Sequence, residues 1–320
     1  MEIFLNILFL IIGMVLLIKG ADYFVDGSSG IAKAFKVPSL IIGLTLVSIG
    51  TSLPELAVSI SSSIEGKNEL SFGYVVGSNI FNILIVLGLC SIIMPLAVSN
   101  DVIKFDVPIY IGIAVLIAIF AFGISPFVLE QWESGIIFAC FIIYLGFTIW
   151  RGMKGKNLEE EEPKEKLKPM WIYLVYLFGG AAAIVAGGKF TVDTAAFIAK
   201  ACGMSELLVG LTIVAVGTSL PELITSLVAS KKGENDIAVG NAVGSCIFNI
   251  VGILSVTGLI HNVPLNPLSY IDYIVMSVAI ILIFVFSFKS KKINRWQGLV
   301  LVLIYVAYLT YIILRNVGVF

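Results

Sequence analysis

The sequence predicts an all-α integral membrane protein of ten transmembrane helices, arranged as two inverted five-helix repeats. Three observations carry this expectation. The chain of 320 residues is 59% hydrophobic and only 13% charged, about half the charged share of a soluble domain. Ten apolar runs are each long enough to cross a bilayer core of about 30 Å. Two blocks of sequence recur at one fixed offset. Ten spans leave only short loops, so no large soluble domain is expected. A formal net charge of −1 offers no basic surface to a nucleic-acid backbone, and no nucleic-acid partner is expected. Four cysteines (Cys90, Cys140, Cys202, Cys246) lack any CxxC spacing and match neither a disulfide framework nor a thiolate metal site.

The first apolar run, roughly 4 to 17, continues toward Val25 past Lys19 and Asp22. It has no basic stretch before it and no small-residue cleavage pattern, so it reads as a retained span and not a signal peptide. Runs at roughly 38–63, 72–94, 107–124 and 132–150, bounded by polar residues, Pro or Gly, complete a first half over 1–150. The segment 151–169 (RGMKGKNLEEEEPKEKLKP) is too charged to pack and reads as a linker, its Glu159–Glu162 run included. Runs at roughly 170–188, 204–229, 237–260, 270–288 and 295–314 form a second half over 170–320. With the N-terminus outside, the inside loops carry 15 Lys and Arg, among them Lys33, Lys36, Lys104, Arg151 and Lys232. The outside segments carry 4: Lys67, Lys189, Lys200 and Arg315. The positive-inside rule then places both termini outside, the linker in the cytoplasm and the protein in the cell membrane as a multi-pass chain.

The repeat is specific. GLTLVSIGTSLPEL at 43–56 recurs as GLTIVAVGTSLPEL at 210–223, with 11 of 14 positions identical at an offset of 167. GYVVGSNIFNIL at 73–84 recurs at the same offset as GNAVGSCIFNIV at 240–251, with 8 of 12 identical. An odd number of spans per repeat turns the second copy upside down, the architecture of secondary transporters with a site where the halves meet.

Each first block puts a glutamate, Glu55 or Glu222, deep in an apolar span. A carboxylate there costs several kcal/mol unless compensated, which makes it a functional candidate. Pro54 and Pro221 lack an N–H, leave the carbonyl four residues earlier unpaired, at Gly50 or Gly217, and kink or break the helix. Freed carbonyls at membrane depth must line a polar cavity or be buried in protein. Thr51 shares a helix face with Glu55, and Thr218 with Glu222; Ser78 and Asn82, or Ser245 and Asn249, are likewise four apart. Converging, these groups make an oxygen-rich site without Cys or His, suited to Na+ and Ca2+. Gly77 and Gly244 read as packing positions, His261 as an exposed loop residue, and Asp22, Asp26 and Asp193 as interfacial.

GTSLPE at 50–55 and 217–222, with GSNIFN at 77–82 and GSCIFN at 244–249, resembles the paired repeats of the Ca2+/cation antiporter superfamily, in particular its prokaryotic Na+/Ca2+ exchangers. The resemblance covers nearly the whole chain. It implies eight core helices and a sliding pair made by the first and sixth. It implies a Ca2+ site on Glu55 and Glu222 with the backbone carbonyls of Thr51 and Thr218. One Na+ site would use Ser48, Thr51, Ser52, Ser78 and Glu222; the other would use Ala215, Thr218, Ser219, Ser245 and Glu55. Ser48 and Ala215 would offer main-chain carbonyls, and Asn82 and Asn249 would close the centre.

Two departures from the family pattern matter. Tyr74 stands where the second copy has Asn241, so hydrogen bonding by that Asn is not duplicated. Relatives often carry Asp at the position of Asn249, as K+-dependent exchangers do, and Asn there argues against K+ dependence. The expected function is Na+/Ca2+ antiport by a monomer in the lipid bilayer, with H+ competing for the glutamates and no cofactor. The alternative is H+/Ca2+ antiport on the same glutamates, although that branch typically has a GNxxE core. An enzyme is not expected: the lone His261 and four scattered cysteines supply no nucleophile–base pair.

Overall fold

In the computed structural model, residues 2–65, 69–155, 167–203 and 215–317 are described. Most of the linker, with Glu159–Glu162, lies outside them, as do Lys67 and 204–214, the start of the predicted seventh span. The helices are α1 (Leu5–Phe35), α2 (Ser39–Thr51), α3 (Leu53–Ile64), α4 (Ser71–Ile93), α5 (Val102–Ile124) and α6 (Gln131–Lys154), then α7 (Met170–Ala201), α8 (Leu220–Lys231), α9 (Asn235–Ile260), α10 (Ser269–Ser290) and α11 (Arg295–Arg315). Among the described residues, eight helices are long and apolar enough to cross a membrane, and a ninth span is counted if the bent pair α2–α3 is one. α1 and α7 run far past the expected 25 and 188. Asp22, Asp26, Lys189 and Lys200 do not stop them, because helices of 31 and 32 residues reach about 46 to 48 Å at 1.5 Å per residue and overhang the bilayer core.

Polarity is inside out relative to a soluble protein. Ser48, Thr51, Ser52, Glu55, Ser78, Asn79, Asn82, Ser219, Glu222, Asn241, Ser245 and Asn249 are buried, while Phe9, Ile143, Trp171, Phe178 and Trp296 are exposed. Lipid solvates apolar side chains as well as a core would, so the interior is free to hold the polar groups. α4 and α9, which carry the second sequence block, are the most enclosed helices.

α1 and α7 pack along their whole length. Glycines at seven-residue spacing, Gly13, Gly20 and Gly27 on α1 and Gly180 and Gly187 on α7, let the backbones touch: a Cβ at Gly187 would stand 2.6 Å from Leu17 N and 2.7 Å from Gly13 O. Gly13 faces Thr191 and Gly27 faces Leu177, so the two helices are antiparallel. They also share the 167-residue offset, since IAKA occupies both 31–34 and 198–201.

Among the described residues, four two-residue strands cap the bundle, a feature with no signal in an all-α reading. β1 (Leu96–Ala97) pairs with β4 (Lys292–Ile293), and β2 (Val128–Leu129) with β3 (Val263–Pro264). The membrane-length α5 separates β1 from β2, so the two ribbons lie at opposite ends. β1 and β3 occupy equivalent places in the repeat yet sit at those opposite ends.

Charged pairs tie the outer helices to their neighbours. Arg151 Nη2 donates to Asp106 Oδ1 at 2.6 Å, with both side chains buried; Tyr144 joins at 3.3 Å. The second half repeats this cluster as Arg315, Asp272 and Tyr308. In the turn after α8, Lys232 Nζ lies 2.6 Å from both Asp22 Oδ1 and Asp26 Oδ1. Burial alone would lower the Lys232 pKa, but hydrogen bonds and charge from Asp22 and Asp26 hold it above its ordinary value. Beside it, Ser29 donates to Glu234 at 2.6 Å. His261 is exposed, as are Cys202 and, in part, Cys140; Cys90 and Cys246 are buried thiols.

Candidate functional site

Two helix breaks build the site. α2 ends at Thr51 and α3 begins at Leu53, turned by 47°, with Ser52 between them at φ −89°, ψ 7°. The second copy has the same geometry: a helical turn, Ala215–Gly217, then Ser219 at φ −96°, ψ 8° ahead of α8. Pro54 and Pro221 sit in the first turn of the new helix, where a missing N–H leaves nothing unpaired. The breaks therefore fall just before the prolines. Both serines occupy the sparsely allowed region near φ −90°, ψ 0°. Glu55 and Glu222 lie in the first turn of α3 and α8, where the helix dipole favours negative charge.

α4 and α9 each widen into a π turn at the second block. Asn82–Val86 and Phe248–Ile253 take this form, and such bulges concentrate at functional sites. α9 comes close to α2 because Gly240 and Gly244 leave no side chain between them; a Cβ at Gly244 would lie 2.8 Å from Leu44 Cα. The stretch that would face Gly77 in the same way, 210–214, is outside the described residues.

The halves interlock through side chains. Ser52 Oγ donates to Glu222 Oε1 at 2.8 Å and lies 3.1 Å from Ser245 Oγ. Ser78 and Ser219 hydroxyls are 3.2 Å apart. Asn249 Nδ2 donates to Ser78 Oγ at 3.1 Å. The Thr51 hydroxyl is 3.0 Å from Asn241 Oδ1, while Asn241 Nδ2 donates to Ser226 Oγ at 2.9 Å and Glu222 O at 3.3 Å. Tyr74, in place of a second such Asn, faces Thr218 across the site. The Ser48 hydroxyl turns back to Leu44 O at 2.8 Å, and its carbonyl receives Ser245 Oγ at 3.4 Å. Ala215 is placed by its backbone alone.

What these residues lack is as informative as what they make. Among the described residues, both oxygens of Glu55, Oε2 of Glu222, Oδ1 of Asn249 and both amide atoms of Asn82 are buried without a hydrogen-bond partner. Buried polar atoms are almost always satisfied, and an unpaired buried carboxylate is among the costliest groups in a protein. Five of those six atoms are oxygens at the junction of the two breaks, and the sixth is the Asn82 amide nitrogen. Hard, dehydrated cations supply what such oxygens need. Among the described residues there is no cluster of three or more His, Cys, Asp or Glu side chains able to hold a metal, so any cation bound here relies on two carboxylates with hydroxyl, amide and carbonyl oxygens.

Asn79, Asn241 and Ser226 belong to this network but were not singled out as site residues from sequence. Asn79 had a signal, being the single position at which GSNIFN and GSCIFN differ. The Asp106–Arg151 and Asp272–Arg315 pairs had one too, in their recurrence at nearly the repeat offset.

The family described as sodium/calcium exchanger protein matches residues 5–150 and 172–314. The chain is 36% identical to the sodium/calcium exchanger MaX1 of Methanosarcina acetivorans, covering 95% of this chain and 97% of that protein. It is 36% identical to the putative antiporter CaxA of Alkalimonas amylolytica, covering 94% and 96%, and 37% identical to the inner membrane protein YrbG of Escherichia coli, covering 91% and 92%. A solved structure of the sodium-calcium exchanger NCX_Mj, soaked with zero Na+ and Ca2+, superposes with a TM-score of 0.84 at 33% identity, covering 97% of this chain and 99% of that one.

Proposed function

From the premise that the chain belongs to the sodium/calcium exchanger family, a family of membrane exchangers and not of enzymes, we propose that it is a secondary active Na+/Ca2+ antiporter. The observation that carries this reading is the pair of buried glutamates, three of whose four oxygens lack a protein partner among the described residues, at the junction of two helix breaks. Ca2+ binds between Glu55 and Glu222 with the Thr51 and Thr218 carbonyls. Na+ occupies flanking positions, one drawing on Ser48, Thr51, Ser52, Ser78 and Glu222, the other on Ala215, Thr218, Ser219, Ser245 and Glu55. Asn82 and Asn249 complete the centre.

The scaffold is ten helices in two inverted repeats with both termini outside. Two observations support the inversion: the equivalent helices α1 and α7 run antiparallel, and the equivalent strands β1 and β3 lie at opposite ends. All of the proposed ligands come from one chain, so a monomer suffices.

Coupling follows from charge. With both glutamates ionised the site carries −2, which one Ca2+ neutralises and two or three Na+ neutralise or slightly exceed. An empty, doubly charged cavity cannot cheaply pass an apolar constriction. Only loaded forms switch between inward and outward access, and because both ions need the same carboxylates, they exchange. An inward Na+ gradient then drives Ca2+ out.

The test is uptake of radiolabelled Ca2+ into proteoliposomes under an outward Na+ gradient, repeated with a pH gradient in its place. Na+-driven uptake abolished in Glu55→Ala and Glu222→Ala is expected. Uptake driven by the pH gradient alone would transfer the same glutamates to H+/Ca2+ exchange, and undiminished uptake in either variant would remove them from the site.

A further inference from the structure

The two copies of the motif GSxIFN differ at one position, Asn79 in the first and Cys246 in the second. Asn79 is fully buried and lies behind Asn249. Its Nδ2 is 2.9 Å from the Cys246 carbonyl oxygen and 3.0 Å from the Tyr110 hydroxyl. A backbone carbonyl can only accept, so the Asn79 atom facing it is the amide nitrogen. Asn79 Oδ1 is thereby turned toward Asn249, where it accepts from Nδ2 at 3.1 Å. Asn249 Nδ2 also reaches Ser78 Oγ, at 3.1 Å. With its donors committed on that side, Asn249 leaves Oδ1 buried and without a protein partner among the described residues. A chain of donors and acceptors that starts at a backbone atom thus decides which end of Asn249 is free.

Asn82, the first-half counterpart, has no such chain. Among the described residues neither its Oδ1 nor its Nδ2 has a partner, and the residue corresponding to Asn79 on its side is Cys246, whose thiol points to Asn79 O at 3.7 Å. Among the described residues, no hydrogen bond dictates which end of the Asn82 amide faces the site.

We propose that Asn79 is a positioning residue that presets Asn249 with its carbonyl oxygen toward the transported cation, which makes Asn249 the fixed amide ligand and Asn82 the adaptable one. This rests on the reading of the Glu55–Glu222 junction as a cation site. A preset oxygen needs no reorientation when a cation arrives. An unanchored amide can offer its oxygen to a cation or its N–H to a carboxylate, so the first half adjusts as the load changes between Ca2+ and Na+.

Equilibrium binding of radiolabelled Ca2+ to the purified full chain, with Na+ as competitor and the unfolding temperature measured alongside, tests this. Asn79→Leu, Asn249→Ala and their double variant form one cycle. Asn79→Cys, which installs the residue that the second copy already holds there, is measured in parallel. Asn79→Leu is expected to weaken Ca2+ binding about tenfold, Asn79→Cys to reproduce that loss, and the double variant to bind no more weakly than Asn249→Ala alone, because the two amides act as one unit. A role in packing alone would give losses that add in the double variant, and that result overturns the proposal. So does unchanged affinity in a folded Asn79→Leu or Asn79→Cys protein; if Asn79→Leu does not fold, the cycle built on Asn79→Cys decides. A wild-type chain with no saturable Ca2+ binding would instead overturn the cation-site reading itself, so the two failures are distinguishable.

Discussion

Glu55→Gln is the sharpest perturbation of the site, because it removes one charge while keeping shape and one carbonyl oxygen. Unlike Glu222, whose Oε1 accepts from Ser52 at 2.8 Å, Glu55 has no side-chain partner for either oxygen among the described residues, so the substitution breaks no side-chain pairing. Its main effect is on charge: a bound cation loses an anionic ligand, and Glu222 loses a like-charged neighbour. A unit-charge pair about 4 Å apart at an effective dielectric of about 20 is worth about 4 kcal/mol, and about twice that for a divalent ion. Cheaper dehydration of the neutral amide returns a large part; with about 3 kcal/mol left, Ca2+ binding weakens about a hundredfold. Na+ carries half the charge and loses about half as much free energy, so its affinity falls only about tenfold. Isothermal titration of Ca2+ and of Na+ on the purified protein measures both. A Ca2+ affinity within threefold of wild type, or equal losses for the two ions, would refute the electrostatic account of selectivity.

Ca2+ binding weakens as pH falls, since protonating either glutamate removes ligand charge; a Ca2+ affinity that is flat or rises on acidification contradicts this. Arg151→Gln leaves Asp106 buried and uncompensated and destabilises the fold by about 3 kcal/mol or more, whereas Arg315→Gln costs less, because Arg315 is 19% exposed against 7% for Arg151; unfolding in a denaturant series ranks the two. Gly187→Leu forces α1 and α7 apart, given the 2.6 Å that a Cβ would have to Leu17 N. It is expected to cut ion flux about tenfold while leaving Ca2+ binding near wild type, because close small-residue packing is what holds this pair together.

Parts of this protein were legible in one dimension because their causes are local. A proline without an N–H cannot continue a helix, and the breaks indeed fall at Ser52 and Ser219, beside Pro54 and Pro221. A carboxylate in an apolar run stands out against its background, and its recurrence at an offset of 167 is a property of the string alone. Span ends were less legible. The apolar runs end near 25 and 188, but the helices continue to Phe35 and Ala201, because a helix longer than the bilayer core extends into the interface.

The tertiary structure decided which groups meet. Ser52 serves the glutamate of the other half, and Asn249 takes its orientation from Asn79; these partners are 170 residues apart in each case. No periodicity encodes such a pairing, because it depends on how residues far apart in the chain pack together. The wide turns that include Asn82 and Asn249 likewise leave no local signature. Sequence alone therefore determined the chemistry available, two carboxylates and a set of oxygens on breaking helices in a membrane. Only the packing of one half against the other decided which oxygens remain unpaired, and so where a cation has reason to bind.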